Sequence, residues 1–132
     1  MIYLALHSES KSRTGIKEIA SSLDIPAPFL AKLLQLLTRH KILVSSKGPN
    51  GGFALGRNAK EITLFDIITI IDGQDIFNTC LISMRACHED DKPCPVHHKY
   101  ESIRNNLKQF FKQQDIGSLT EDFKSGGQPF VL

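Results

Sequence analysis

The chain has 132 residues, 41% of them hydrophobic, with 16 Lys/Arg against 14 Asp/Glu. That length supports one domain, or one small domain with an extension, and the apolar fraction is enough for a packed core. No apolar run approaches the roughly 20 residues of a membrane span, and Met1–Leu6 is far too short for a secretory leader, so the expectation is a cytoplasmic protein with no membrane partner.

The net charge of +2 hides an asymmetry. Residues 1–60 carry nine Lys/Arg against three acidic residues, a balance of +6, and residues 61–132 carry seven against eleven, a balance of −4. A basic half suits a nucleic-acid reader. The three cysteines cannot all pair within one chain, and a cytoplasmic setting disfavours disulfides.

In chain order, Ile2–His7 reads as the end of an apolar helix and Ser8–Gly15 as a polar loop. Ile16, Ile19, Ala20 and Leu23 recur at helical spacing, which predicts a short helix to about Leu23. After the turn "DIP", Pro26–Arg39 places Leu30, Leu33, Leu34 and Leu37 on one face of a helix and Ala27, Pro28, Ala31, Lys32, Gln35 and Arg39 on the other. Two short strands follow, "ILVSS" and "GGFAL", joined by the turn formers of "KGPNG". "LFDIITIID" is a helix ended by Gly73. Pro95 to about Gln114 is the longest helix, with Pro95 suited to its first turn. "SLTEDF" adds a short helical piece, with Ser118 and Glu121 spaced as a capping box.

The fold class expected is therefore mainly α with a small β-hairpin: a winged helix-turn-helix followed by a long C-terminal helix. In such a fold a short helix braces a second whose exposed face enters the major groove. Ala27, Pro28, Lys32, Gln35 and Arg39 are the candidate contacts on that face. The hairpin tip, Lys47, Gly48, Pro49, Asn50 and Gly51 with Arg57 beyond, is placed to touch phosphate or minor groove. A winged helix that binds only protein would be expected to show an uncharged recognition face, whereas Lys32, Gln35 and Arg39 favour phosphates and base edges.

All three cysteines, Cys80, Cys87 and Cys94, fall in "CLISMRACHEDDKPCPVHH" at two equal gaps, with His97 and His98 close behind. Soft thiolates on a loop between helices suit an iron–sulfur cluster or zinc, and a set of unmetallated thiols is the bland alternative. Glu89, Asp90 and Asp91 are poor partners for so soft a site and more naturally solvate the loop. Catalysis is not expected: Cys and His lie near each other, but no motif ties them to a third, orienting group, and no small-molecule substrate is implied.

The stretch "GIKEIASSLDIPAPFLAKLLQLLTRHKILVSSKGPNGGFALGRNAKEITLFDIITIIDG" resembles the bacterial transcription regulators of the Rrf2 family, and the likeness covers nearly the whole chain. Its most specific pieces are "IA--L-IP--FL-KLL--L", the wing "GPNGGFAL" and "ITLFDII--I-G". The resemblance implies a DNA-binding regulator, a repressor, working as a homodimer through Pro95–Gln114 on a near-palindromic operator. Half-sites would then lie about one helical turn apart or a multiple of it. It implies the boundaries 1–73 for the winged helix, 74–94 for a cluster-binding loop and 95–132 for the dimerisation helix and tail.

The same resemblance makes Cys80, Cys87 and Cys94 cluster ligands. It makes His97, in the "CPVH" that matches a Cys-x-x-His ending in the family, the fourth, with His98 and a residue from a longer first helix as competitors. A cluster-free regulator governed by a metabolite, a partner protein or thiol oxidation is the alternative within the family. Three departures stand out. The chain opens partway through the family's first helix, Asn50 interrupts an otherwise all-glycine wing tip, and Ala31 replaces an acidic base-contacting residue of some relatives.

Overall fold

The computed structural model describes residues 1–8, 13–80, 82 and 95–126. The elements are α1 (Ile2–His7), α2 (Ile16–Ser22), α3 (Ala27–Arg39), β1 (Leu43–Ser46), β2 (Gly52–Leu55), α4 (Leu64–Asp72), α5 (His97–Gln113) and α6 (Ile116–Gly126), with 3₁₀ turns at Ala59–Glu61 and Gln74–Phe77. The expected class, mainly helical with a hairpin wing, is what the chain adopts. Among the described residues no helix is long and apolar enough to cross a membrane.

The turn between α2 and α3 and the exit from α3 use the same device. Asp24 and Lys41 adopt positive φ angles of 50° and 59°. Beyond each, an isoleucine N–H reaches back into the last helical turn, Ile25 to the Ala20 carbonyl and Ile42 to the Leu37 carbonyl, both at 3.0 Å. This is the Schellman arrangement with a non-glycine residue in the left-handed position, a strain of about 1 kcal/mol that buried contacts must offset. Ile42 is fully buried, and it packs in one core with Leu30, Leu34 and Leu37 of α3, Ile19 and Ala20 of α2, and Leu4 and Ala5 of α1. The apolar stripe expected on α3 thus faces the core, with Leu33 half-buried at its margin.

β1 and β2 pair antiparallel with Leu43 opposite Leu55 and Ser46 opposite Gly52. The hairpin was expected; a third strand-like contact was not. Thr14 exchanges two backbone hydrogen bonds of 2.9 Å with Phe53 on the free edge of β2. The loop before α2 is thereby fastened to the wing. Gly52 sits where this crossing is tightest: its φ is 147° and a side chain there would run into the Thr14 carbonyl.

A capping box opens α4. The Thr63 hydroxyl accepts from the Asp66 N–H at 3.1 Å, and the Asp66 carboxylate accepts from the Thr63 N–H at 3.1 Å. Gly73, at φ 84°, ends the helix as expected.

Two sequence expectations need correction. Helix α5 begins at His97 with Val96 at the N-cap, so Pro95 precedes the first turn rather than occupying it. The Ser118–Glu121 capping box does not form, because α6 starts earlier, at Ile116, whose side chain is drawn into the core at 1% exposure. Asp115 caps α6 instead. Its carboxylate accepts from the Ser118 N–H at 2.8 Å and from the Ser118 hydroxyl at 2.7 Å, while Glu121 pairs with Lys60 at 3.0 Å.

The α5–α6 junction is also laced to the segment before α4. The Leu64 N–H donates to the Gln114 carbonyl and the Ile116 N–H to the Ile62 carbonyl, both at 2.9 Å. As a result α6 packs against α1 and the Ala59–Glu61 turn, within the core built by the first helices.

The bonds from Ser118 hold the Asp115 carboxyl below the usual aspartate range. A depressed carboxyl contributes stability above its unfolded-chain pKa and loses it as pH falls through the folded value. Asp115→Ala should therefore destabilise by about 1 kcal/mol at neutral pH. In urea unfolding, the gap from the parent chain should narrow as pH drops below about 4.

Candidate nucleic-acid interface and cysteine segment

Helix α3 turns its polar face outward. Pro28, Lys32, Gln35 and Arg39 are exposed, and Ala27 and Ala31 are half-buried at the edges of that face. Phe29 is also exposed, at 57%, beside Pro28 and Lys32. The apolar periodicity of the sequence gave no reason to expect an aromatic ring there.

The wing tip is a closed turn. The Gly51 N–H donates to the Gly48 carbonyl at 2.9 Å across Pro49 and Asn50, so Asn50 takes a turn position without breaking the hairpin. Lys47, Gly48, Pro49 and Asn50 are exposed and Gly51 is half-buried. Arg57, two residues beyond the end of β2, is exposed.

Between the C-terminal half of α3 and the wing lies an open groove of about 450 Å³ lined by Gln35, Thr38, Arg39, Ser45, Ser46, Lys47, Gly52 and Phe53. Three residues expected from sequence, Gln35, Arg39 and Lys47, thus converge on one concavity. Thr38, Ser45, Ser46 and Phe53 join them without having been foreseen. The Thr38 hydroxyl donates to the Leu34 carbonyl at 2.7 Å, leaving its oxygen as an acceptor toward the groove. The remaining walls offer an amide, a guanidinium, an ammonium and two serine hydroxyls, donors that suit phosphate oxygens and base edges.

Helix α5 has two different faces. Phe111 meets Phe77 edge-on at 5.9 Å, Phe77 stacks on Phe65 of α4 at 5.2 Å, and the Lys108 and Lys112 ammonium groups lie 6.0 and 5.2 Å from the Phe65 ring. This face binds α5 to the head. An adjoining face exposes Ile103, Leu107 and Phe110 at 62%, 45% and 53%, a stripe at spacings of four and three residues.

Cys80 is buried, three residues beyond Phe77. Cys87 and Cys94 lie outside the described residues, as do Glu89, Asp90 and Asp91. His97 is buried in the first turn of α5, and His98 beside it is exposed. Buried sulfur and imidazole donors fit a soft or borderline metal centre better than a hard one. Phe111, which anchors the segment before Cys80, stands 14 residues along α5 from His97, about 21 Å at helical rise. Among the described residues, the ligand atoms gathered within 4.8 Å are those of His97, His98 and Glu101, and Cys80 is not in that group.

The Rrf2 family model, described as "Iron-dependent Transcriptional regulator", matches residues 1–122. A protein of Aquifex aeolicus whose name places it among HTH-type transcriptional regulators is 38% identical over 120 residues, covering 90% of this chain and 82% of its own. The HTH-type transcriptional regulator IscR of Sodalis glossinidius is 26% identical over 122 residues, covering 92% of this chain and 72% of that protein. CymR, the global cysteine regulator of B. subtilis, shares the fold with a TM-score of 0.75 at 24% identity, over 91% of this chain and 86% of that one. With the winged helix, the groove and these likenesses together, the chain belongs to the Rrf2 family of transcriptional regulators.

Proposed function

We propose that this regulator is a repressor that binds a near-palindromic operator as a homodimer and whose DNA affinity is governed by an iron–sulfur cluster. The observation that carries the DNA reading is the groove in which Gln35 and Arg39 of α3 meet Lys47 of the wing. In this reading Pro28, Lys32 and Gln35 address base edges from the major groove, with Ala27 at the start of the helix against the backbone. Arg39, Lys47 and Arg57 take phosphates, and the Gly48–Gly51 turn approaches the minor groove. Each lost phosphate contact lowers the salt slope of binding by about one. Arg39→Ala and Lys47→Ala should each weaken binding across all operator sequences and flatten the log–log salt titration by about that amount. An unchanged slope in both would remove the groove from the interface.

The exposed stripe Ile103, Leu107 and Phe110 supports dimerisation through α5, since an apolar helix face of this kind is buried by a matching copy around a two-fold axis. Leu107→Glu should give a monomer in sedimentation experiments, still folded by circular dichroism, with operator affinity reduced by about tenfold or more. A stable dimer in that variant would place the interface elsewhere.

For the cluster, Cys80, Cys87 and Cys94 supply thiolates and His97 the nitrogen donor. When bound, such a group supplies a centre sensitive to oxidants, nitric oxide and iron supply. The chain's own part is mechanical. Cys80 lies three residues beyond Phe77, which is wedged between Phe65 of α4 and Phe111 of α5, so ligation at Cys80 would act close to the joint between head and dimer helix. A small free-energy difference between two settings of that joint is enough to change DNA affinity. A second reading, regulation without a cluster, is favoured by the shared fold with CymR, a cysteine regulator by name.

A further inference from the structure

The first turn of α5 brings together three side chains able to bind metal: His97, buried; His98, exposed; and Glu101, half-buried. One ligand atom from each lies within 4.8 Å of the others, and the two imidazole rings stand perpendicular with centroids 5.2 Å apart. Helical geometry explains the grouping, because Glu101 follows the two histidines by four and three residues and so lies alongside both.

Two imidazole nitrogens and a carboxylate oxygen form a donor set of borderline softness. Such a set selects divalent transition-metal ions, Zn²⁺ and Fe²⁺ among them, over hard cations that demand oxygen ligands alone. Three protein ligands leave at least one position for water. The amino end of a helix opposes a cation through its dipole, and the Glu101 carboxylate counters that field. Glu101 makes no ion pair among the described residues. Solvent reaches the cluster through His98, while the burial of His97 fixes one ligand in place.

We propose that His97, His98 and Glu101 bind one divalent transition-metal ion without help from the cysteines. The site shares His97 with the donor set proposed for the cluster, so on one chain the ion and a His97-ligated cluster are alternatives. Otherwise it is independent of that reading. Metal binding here would clamp the start of the helix that carries the Ile103–Phe110 stripe.

The test uses the full chain freed of iron and titrated with Co²⁺, whose visible spectrum separates nitrogen and oxygen ligands from thiolates, with Zn²⁺ as competitor. One Co²⁺ per chain with no sulfur charge-transfer band is expected. Affinity should be retained when Cys80, Cys87 and Cys94 are all changed to serine, and should fall about tenfold or more in His98→Ala and in Glu101→Gln. Those two variants alter an exposed and a half-buried side chain, so the fold is expected to persist, and the wild-type spectrum is informative even if the serine variant does not fold. A sulfur charge-transfer band, insensitivity to both substitutions, or no Co²⁺ binding at all would overturn the proposal. Loss of iron–sulfur colour in the serine variant bears only on the cluster.

Discussion

The arrangement of this protein turns on a short backbone pairing far apart in sequence. Ile62 and Leu64 exchange hydrogen bonds with Ile116 and Gln114, and the two isoleucines beside those bonds are 0% and 1% exposed. Burial excludes water from competing for these peptide groups, so once the isoleucines enter the core the bonds have no good alternative. Both consequences are structural. Helix α4 starts where the pairing ends, with its capping box at Thr63, and α5 must arrive at the head at the same point, with α6 turning back against α1. The head is therefore completed by residues from the far end of the chain.

That closure gives α5 its two roles. One face is held to the head through Phe65, Phe77 and Phe111, and a neighbouring one exposes Ile103, Leu107 and Phe110. In the dimer proposed above, a rod fastened at one end and paired along its length would pass small changes at its base to the spacing of two heads. Operator affinity would depend on that spacing, because two-fold symmetric heads must match two half-sites at once. Cys80 lies just past Phe77 and the His97–His98–Glu101 group opens α5, and none of these residues lines the groove between α3 and the wing. In the proposed reading, regulation and recognition would use different surfaces, with Cys80 linked to the head by way of the Phe65–Phe77–Phe111 wedge.

The sequence exposed the parts of this plan that local periodicity controls. The leucine stripe of α3, the glycine and proline of the wing turn and the stop at Gly73 are each decided by residues within a turn or two, and each formed where expected. That Gln35, Arg39 and Lys47 meet at one groove was legible because a helix-turn-helix followed by a hairpin fixes which faces meet. Long-range pairings left no such trace. Thr14 bonding to Phe53, and Ile116 bonding to Ile62, depend on core packing that no nearby pattern announces. The misplaced cap on α6 follows from the same cause, since Ser118 and Glu121 match a capping pattern while the buried Ile116 sets the start of the helix. The real boxes and caps, at Thr63–Asp66 and Asp115–Ser118, use aspartate as the acidic partner.

The measurement that bears most directly on control of this regulator is purification under anaerobic conditions, followed by iron and sulfide determination and visible absorption. The expected result is a coloured protein containing iron and acid-labile sulfide in comparable amounts, bleached by air or nitric oxide. A protein that stays colourless after reconstitution with iron and sulfide would contradict it. Such a result would leave the winged helix as a DNA reader answering to some signal other than a cluster.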